Sequence, residues 1–100
     1  MRQISAKQSK RLRKFNEIKR GLPHQCIICG GEAVDAAHLL PRSLFPEYYT
    51  EEWNIVPMCR CCHNRYDNDL SFRQKQTKIY DLIKEHDQQA AYRYFKIWNR

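Results

Sequence analysis

The sequence predicts a small α+β domain: a zinc-clipped core of a short antiparallel hairpin and a helix, with a basic helix before it and apolar helices after it. Three observations predict it. Two Cys-x-x-Cys pairs, Cys26/Cys29 and Cys59/Cys62, open and close the central segment. Two short β-type runs lie between the pairs, and apolar residues recur at helical spacing outside them. One hundred residues give a single domain, 1–100, with a thin core that a structural metal would stabilise.

Leu12, Phe15 and Ile18 repeat at helical spacing among basic side chains from Ser5 to Arg20, and Gly21 with Pro23 ends the pattern, so residues 1–22 read as an amphipathic basic helix. Residues 26–31 look like a zinc knuckle, in which Gly30 and Gly31 let the backbone turn its amides toward the sulfurs. Ala33 to Leu40 reads as a strand carrying His38. Pro41 and Pro46 break regular structure and make 42–52 the longest loop. Residues 54–58 form a β-type run entering the second knuckle, and 60–67 a brief helix presenting His63. In the region 70–99, Phe72, Ile79, Leu82 and Ile83 share one helical face, and Tyr94, Phe95 and Trp98 mark a face on a last helix.

The charge is unevenly placed. The formal net charge is +7, and residues 1–25 hold eight Lys/Arg against Glu17 alone, so the whole excess sits there. A neutral body with a cationic arm suits an anionic polymer, because each phosphate neutralised releases condensed counterions. Lys10, Arg11, Arg13 and Lys14 are the nucleic-acid-binding candidates on that arm; the rival reading is a solvated basic tail. Five cysteines cannot all pair, and the sequence has neither an apolar leader nor a membrane-length run, which argues against a secreted disulfide framework and for a reducing cytoplasm.

Two Cys-x-x-Cys pairs supply four thiolates, the closed tetrahedral set of a structural Zn2+. Cys26, Cys29, Cys59 and Cys62 are therefore its expected ligands, and Cys61 is left as a free thiol. Four sulfurs satisfy the ion, so His38 and His63 remain for other chemistry.

The order His38, Asn54, His63, with Cys62 directly before His63, resembles the HNH endonucleases, the zinc-bearing branch of the ββα-metal nucleases. The resemblance covers residues 26–66, chiefly 35–43 (DAAHLLPRS) and 53–63 (WNIVPMCRCCH), and the second of these is the more specific. The basic helix is similar to those of small phage-type members. The resemblance implies cleavage of DNA phosphodiesters by water, leaving a 5′-phosphate and a 3′-hydroxyl, in the cytoplasm of a bacterial or phage-infected cell. It implies that His38 is the general base, that Asn54 fixes the loop and the base across the hairpin, and that His63 binds a catalytic divalent cation, whether Mg2+, Mn2+, Ni2+ or Zn2+.

The family places Asp or His directly before the base, and here that residue is Ala37, which cannot bind a metal. Asp35 is the substitute ligand if a bulge or strand end turns it toward the ion; strict alternation puts residues 35 and 38 on opposite faces. A site with one strong ligand or none is the other outcome, and with it the alternative function of a non-catalytic, zinc-stabilised nucleic-acid-binding module. A protein-interaction adaptor built on the apolar C-terminal helices is a third class. Arg42 and Arg65 are candidates for phosphate contact. His24 and His86 read as ordinary surface histidines, and Tyr48, Tyr49 and Trp53 as aromatic packing rather than base-stacking platforms.

Overall fold

The computed structural model describes residues 6–97, with side chains in the first helix from Lys10 onward. Helix α1 (Ala6–Arg20) is followed by strand β1 (Asp35–His38), strand β2 (Ile55–Met58) and helices α2 (Arg60–Asn68), α3 (Leu70–Gln74), α4 (Thr77–His86) and α5 (Gln88–Phe95). The strands form a two-stranded antiparallel sheet that pairs Asp35 with Met58, Ala37 with Val56 and His38 with Ile55. The hairpin, helix and flanking helices of the expected α+β fold are therefore present. Trp98 lies outside the described residues.

Strand β1 is four residues long, shorter than the run from Ala33 to Leu40 that the sequence suggests. Val34 N–H donates to Met58 C=O at 3.2 Å and Leu39 N–H to Asn54 C=O at 2.9 Å, which continue the pairing beyond the four-residue strands. The connection from 39 to 54 is not an open loop: it contains 3-10 turns at Pro46–Tyr48 and Glu52–Asn54. The pleat sends Asp35, Ala37, Val56 and Met58 to one face, where Ala37, Val56 and Met58 are buried. Against them packs the core of Leu39, Leu40, Phe45, Tyr66, Ile79, Tyr80, Ile83 and Phe95. Tyr66 O–H donates to Leu39 C=O at 2.7 Å and so pins α2 to the end of β1.

The C-terminal helices are separated where the sequence suggested one shared face. Asp69 caps α3 by accepting from Phe72 N–H at 3.1 Å, and α3 ends before Gln76, so Phe72 and Ile79 belong to different helices. Asp87 caps α5 in the same manner through Ala90 N–H at 3.0 Å. Helix α5 stops at Phe95 because Lys96 turns left-handed, with φ of 53°.

Arg73 locks this region together. It is buried, with Nε donating to Tyr66 C=O, Nη2 to Asp67 C=O and Nη1 to Tyr94 C=O, all at 2.9–3.0 Å. These carbonyls belong to the last turns of α2 and α5, where a guanidinium opposes the negative ends of two helix dipoles. Its Cζ sits 3.9 Å above the Tyr94 ring.

Candidate functional site

The four cysteines meet at the open end of the hairpin. Their sulfurs all lie within 4.8 Å of one another, and Cys29 Sγ stands 3.7 Å from Cys59 Sγ. Sulfurs about 2.3 Å from a tetrahedral zinc are about 3.8 Å apart, so the set fits that ion. Each knuckle turns amides onto sulfur: Ile28 N–H onto Cys26, Gly31 N–H onto Cys29 and Cys62 N–H onto Cys59, each at 3.4 Å. Gly30 makes the first turn possible, with φ of 78°. Cys59 is also the N-cap of α2. At Cys26 burial opposes ionisation, but amide donors from Cys29, Cys59 and Ile28 outweigh it and bring the thiol down to about 6. Burial pushes Cys62 up. Cys61 stands outside the cluster and is exposed.

A second cluster joins β1 to α2. Asp35 Oδ2 lies 2.9 Å from His63 Nδ1, and one turn further along α2 Asp67 Oδ2 lies 3.2 Å from His63 Nε2. The imidazole is thus held between two carboxylates. Ligands of an octahedral cation that sit at right angles are about 3.0 Å apart, so Asp35 and His63 fit as a ligand pair. Asp67 faces the other ring nitrogen. Among the described residues the four cysteines are the one group of three or more such ligands close enough to share an ion. Arg60 grips Asp35 bidentately, Nε to Oδ2 at 2.9 Å and Nη2 to Oδ1 at 3.0 Å, and with His63 holds its carboxyl below the usual range.

Alternation therefore separates Asp35 from His38, as expected, but β1 directs Asp35 onto α2. His38, at the end of β1, points its Nε2 at Tyr49 C=O, 3.0 Å away. A carbonyl can only accept, so Nε2 carries a proton, and in the neutral ring Nδ1 keeps the lone pair. Phe15 of α1 and Tyr49 both stack on the imidazole, with centroids 5.1 Å away and planes within 18°. Burial is the main influence on His38; it lowers the pKa below the usual histidine value, and the Tyr49 carbonyl pulls the other way.

Asn54 is wholly buried behind this arrangement. Its Oδ1 accepts from Leu40 N–H at 2.8 Å, and Nδ2 donates to Leu40 C=O at 3.2 Å and to Tyr48 C=O at 3.0 Å. The carbonyl next along the chain is the one that holds His38. Asn54 thereby fixes the connection at Leu40 and at Tyr48, next to the carbonyl that orients the imidazole.

The chain matches no family model, no curated protein and no solved structure. Its site must be read from its own geometry.

Lys10, Arg13 and Lys14 are exposed on α1, and Arg11 is half-buried. Arg42 lies 4.9 Å above the Tyr49 ring, beside the His38 stack, and Arg65 covers Phe72. His86 stacks on Trp53 with centroids 4.4 Å apart, and Tyr48 meets Trp53 edge-on. Phe15, Tyr49, Arg60 and Asp67 were not singled out as site residues by the sequence, although Asp67 stands four residues after His63, the helical spacing at which two side chains meet. No helix among the described residues is long and apolar enough to cross a membrane.

Proposed function

We propose that this chain is a metal-dependent HNH-type endonuclease that hydrolyses phosphodiester bonds in DNA, with a ββα-metal core clipped by structural zinc. The observation that carries the reading is His38: a half-buried imidazole whose Nε2–H is committed to a backbone carbonyl, leaving Nδ1 as the basic nitrogen of the neutral ring. A general base needs this protonation state near neutral pH.

The residues divide the work. His38 takes the proton from the attacking water at Nδ1. Asn54 is a positioning residue, acting through Tyr48 and Leu40 on the segment that ends at the Tyr49 carbonyl. Asp35 and His63 would hold a divalent cation, with Asp67 orienting the imidazole from its far nitrogen. Such an ion supplies charge stabilisation at the scissile phosphate. Phosphate contacts from Lys10, Arg11, Arg13, Lys14 and Arg42 position the duplex without reading its sequence. The four cysteines would carry zinc away from the chemistry, holding the hairpin to α2.

Two observations favour the second reading, a zinc-stabilised nucleic-acid-binding module without catalysis. Ala37 is buried in the core and offers no ligand, and both oxygens of Asp35 are engaged by Arg60. The deciding experiment incubates the full chain with supercoiled, single-stranded and branched DNA in Mg2+, Mn2+, Ni2+ or Zn2+, with a chelated control. Cation-dependent cleavage supports the nuclease. Salt-sensitive binding with no cleavage under any of these conditions replaces it with the module.

A further inference from the structure

An open cleft of about 350 Å3 lies between α1, β1 and α2, lined by Phe15, Lys19, Asp35, Arg60 and His63 among others. It brings the carboxylate–imidazole pair together with two cations from different helices. Arg60 is the unusual member. Its side chain is 70% exposed, while the Asp35 carboxylate it grips is only 16% exposed. The guanidinium covers both oxygens of that carboxylate with two parallel N–H···O bonds.

This geometry has a chemical consequence. A carboxylate holding a bidentate guanidinium has its lone pairs engaged and is a poor ligand for a second cation. The same planar fork matches a phosphate diester equally well. An exposed arginine at the mouth of a cleft, with Lys19 lining that cleft, can exchange the one anion for the other with little movement of backbone.

We propose that Arg60 is a phosphate-operated latch: a DNA phosphate entering the cleft draws the guanidinium away from Asp35, and the freed carboxylate then joins His63 in binding a divalent cation. The inference rests on the cation site proposed above. Nucleic acid and cation are then coupled ligands, each raising the affinity of the other, because linkage is reciprocal. Lys19 and Arg60 form the phosphate subsite. Before DNA arrives, Asp35 is held neutralised and the cation site stays weak.

The test measures Mn2+ binding to the zinc-loaded full chain by calorimetry and by Mn2+ paramagnetic resonance, using a His38→Ala background so that DNA is not consumed. Titrations are run alone, with a short DNA duplex and with inorganic phosphate, and are repeated in Arg60→Gln and in Asp35→Asn. The latch predicts that duplex tightens Mn2+ binding about tenfold, within the usual range of coupling between sites. It predicts that Arg60→Gln binds Mn2+ several-fold tighter without DNA and gains little more from the duplex. Inorganic phosphate should reproduce part of the tightening if the subsite reads phosphate alone. Equal Mn2+ affinity in Arg60→Gln and its parent, with the same response to duplex, overturns the latch while leaving the cation site intact. Mn2+ binding that survives Asp35→Asn unchanged, or that is absent throughout, overturns both.

Discussion

The side-chain amide of Asn54 closes a two-point clasp on the backbone of Leu40, accepting from its N–H at 2.8 Å and donating to its C=O at 3.2 Å. Its second N–H reaches Tyr48 C=O at 3.0 Å, so one buried side chain at the end of the connection between the strands holds both its start and its middle. Asn54→Ala leaves a buried N–H and two carbonyls without these partners, at about 1–3 kcal/mol for each stranded group. We expect a loss of about 3 kcal/mol in urea unfolding. Asn54→Asp should fare no better, since its carboxylate would face two carbonyls where the amide donates.

Zinc should be indispensable to the centre of the fold. Cys26 and Cys29 reach Cys59 and Cys62 across the hairpin, and structural zinc contributes on the order of 10 kcal/mol of binding energy to folding in small domains. Elemental analysis of untagged protein should find one zinc per chain. Chelation or Cys59→Ser should abolish cooperative unfolding, and folded protein without zinc would refute the assignment.

Arg73→Met should cost about 3 kcal/mol, although the residue meets the second cluster only at the backbone carbonyl of Asp67. The substitution strips donors from three carbonyls at the ends of α2 and α5. Thermal unfolding followed by circular dichroism would measure it. A neutral result would mean that water can replace the guanidinium.

Asp87 links acid stability to Tyr48. The Tyr48 hydroxyl donates to its carboxylate and the Ala90 amide adds a second bond, which together hold the carboxyl below its usual value. A carboxyl depressed in the folded state stabilises fully above its unfolded pKa, about 3.9, and loses that contribution as pH falls through the folded value. Tyr48→Phe should therefore be less stable than its parent at neutral pH, with the difference shrinking below about pH 4. Unfolding midpoints measured from pH 7 to pH 2 would show whether the two curves converge.

The basic helix should grip phosphate without reading sequence. Lys10, Arg13 and Lys14 are exposed on α1, and replacing all three by Gln leaves Phe15 in place against His38. Affinity for unrelated duplexes should fall alike, and the salt slope should drop by about 0.9 for each phosphate no longer neutralised. An unchanged slope would show that α1 does not face the DNA.

The parts of the fold legible in the sequence were those written as local spacing. Paired cysteines announced the sulfur cluster, and Gly21 with Pro23 marked the end of α1. Asn54 was legible only through a resemblance, since nothing in an isolated Asn says that it will be buried with three bonds. Arg73 was illegible for the opposite reason: arginine belongs on surfaces, and its burial depends on two helix ends converging in space. The Phe15 stack on His38 joins α1 to β1 and leaves no trace in either element's periodicity. The single face drawn through Phe72 and Ile79 failed because Asp69 starts a new helix and α3 ends after five residues. Asp67 could have been found, four residues from His63 on a helix already expected.

The central claim, that His38 is the base of a metal-dependent nuclease, is tested most directly by the rate of plasmid cleavage in a Mn2+ titration of wild type, His38→Ala and His63→Ala. His38→Ala should lose about 100-fold or more, the usual scale for positioned proton transfer, and added Mn2+ should not restore it. His63→Ala should recover in part as Mn2+ rises, because a missing ligand weakens the site without removing the base. Cleavage by His38→Ala at the wild-type rate would contradict the account.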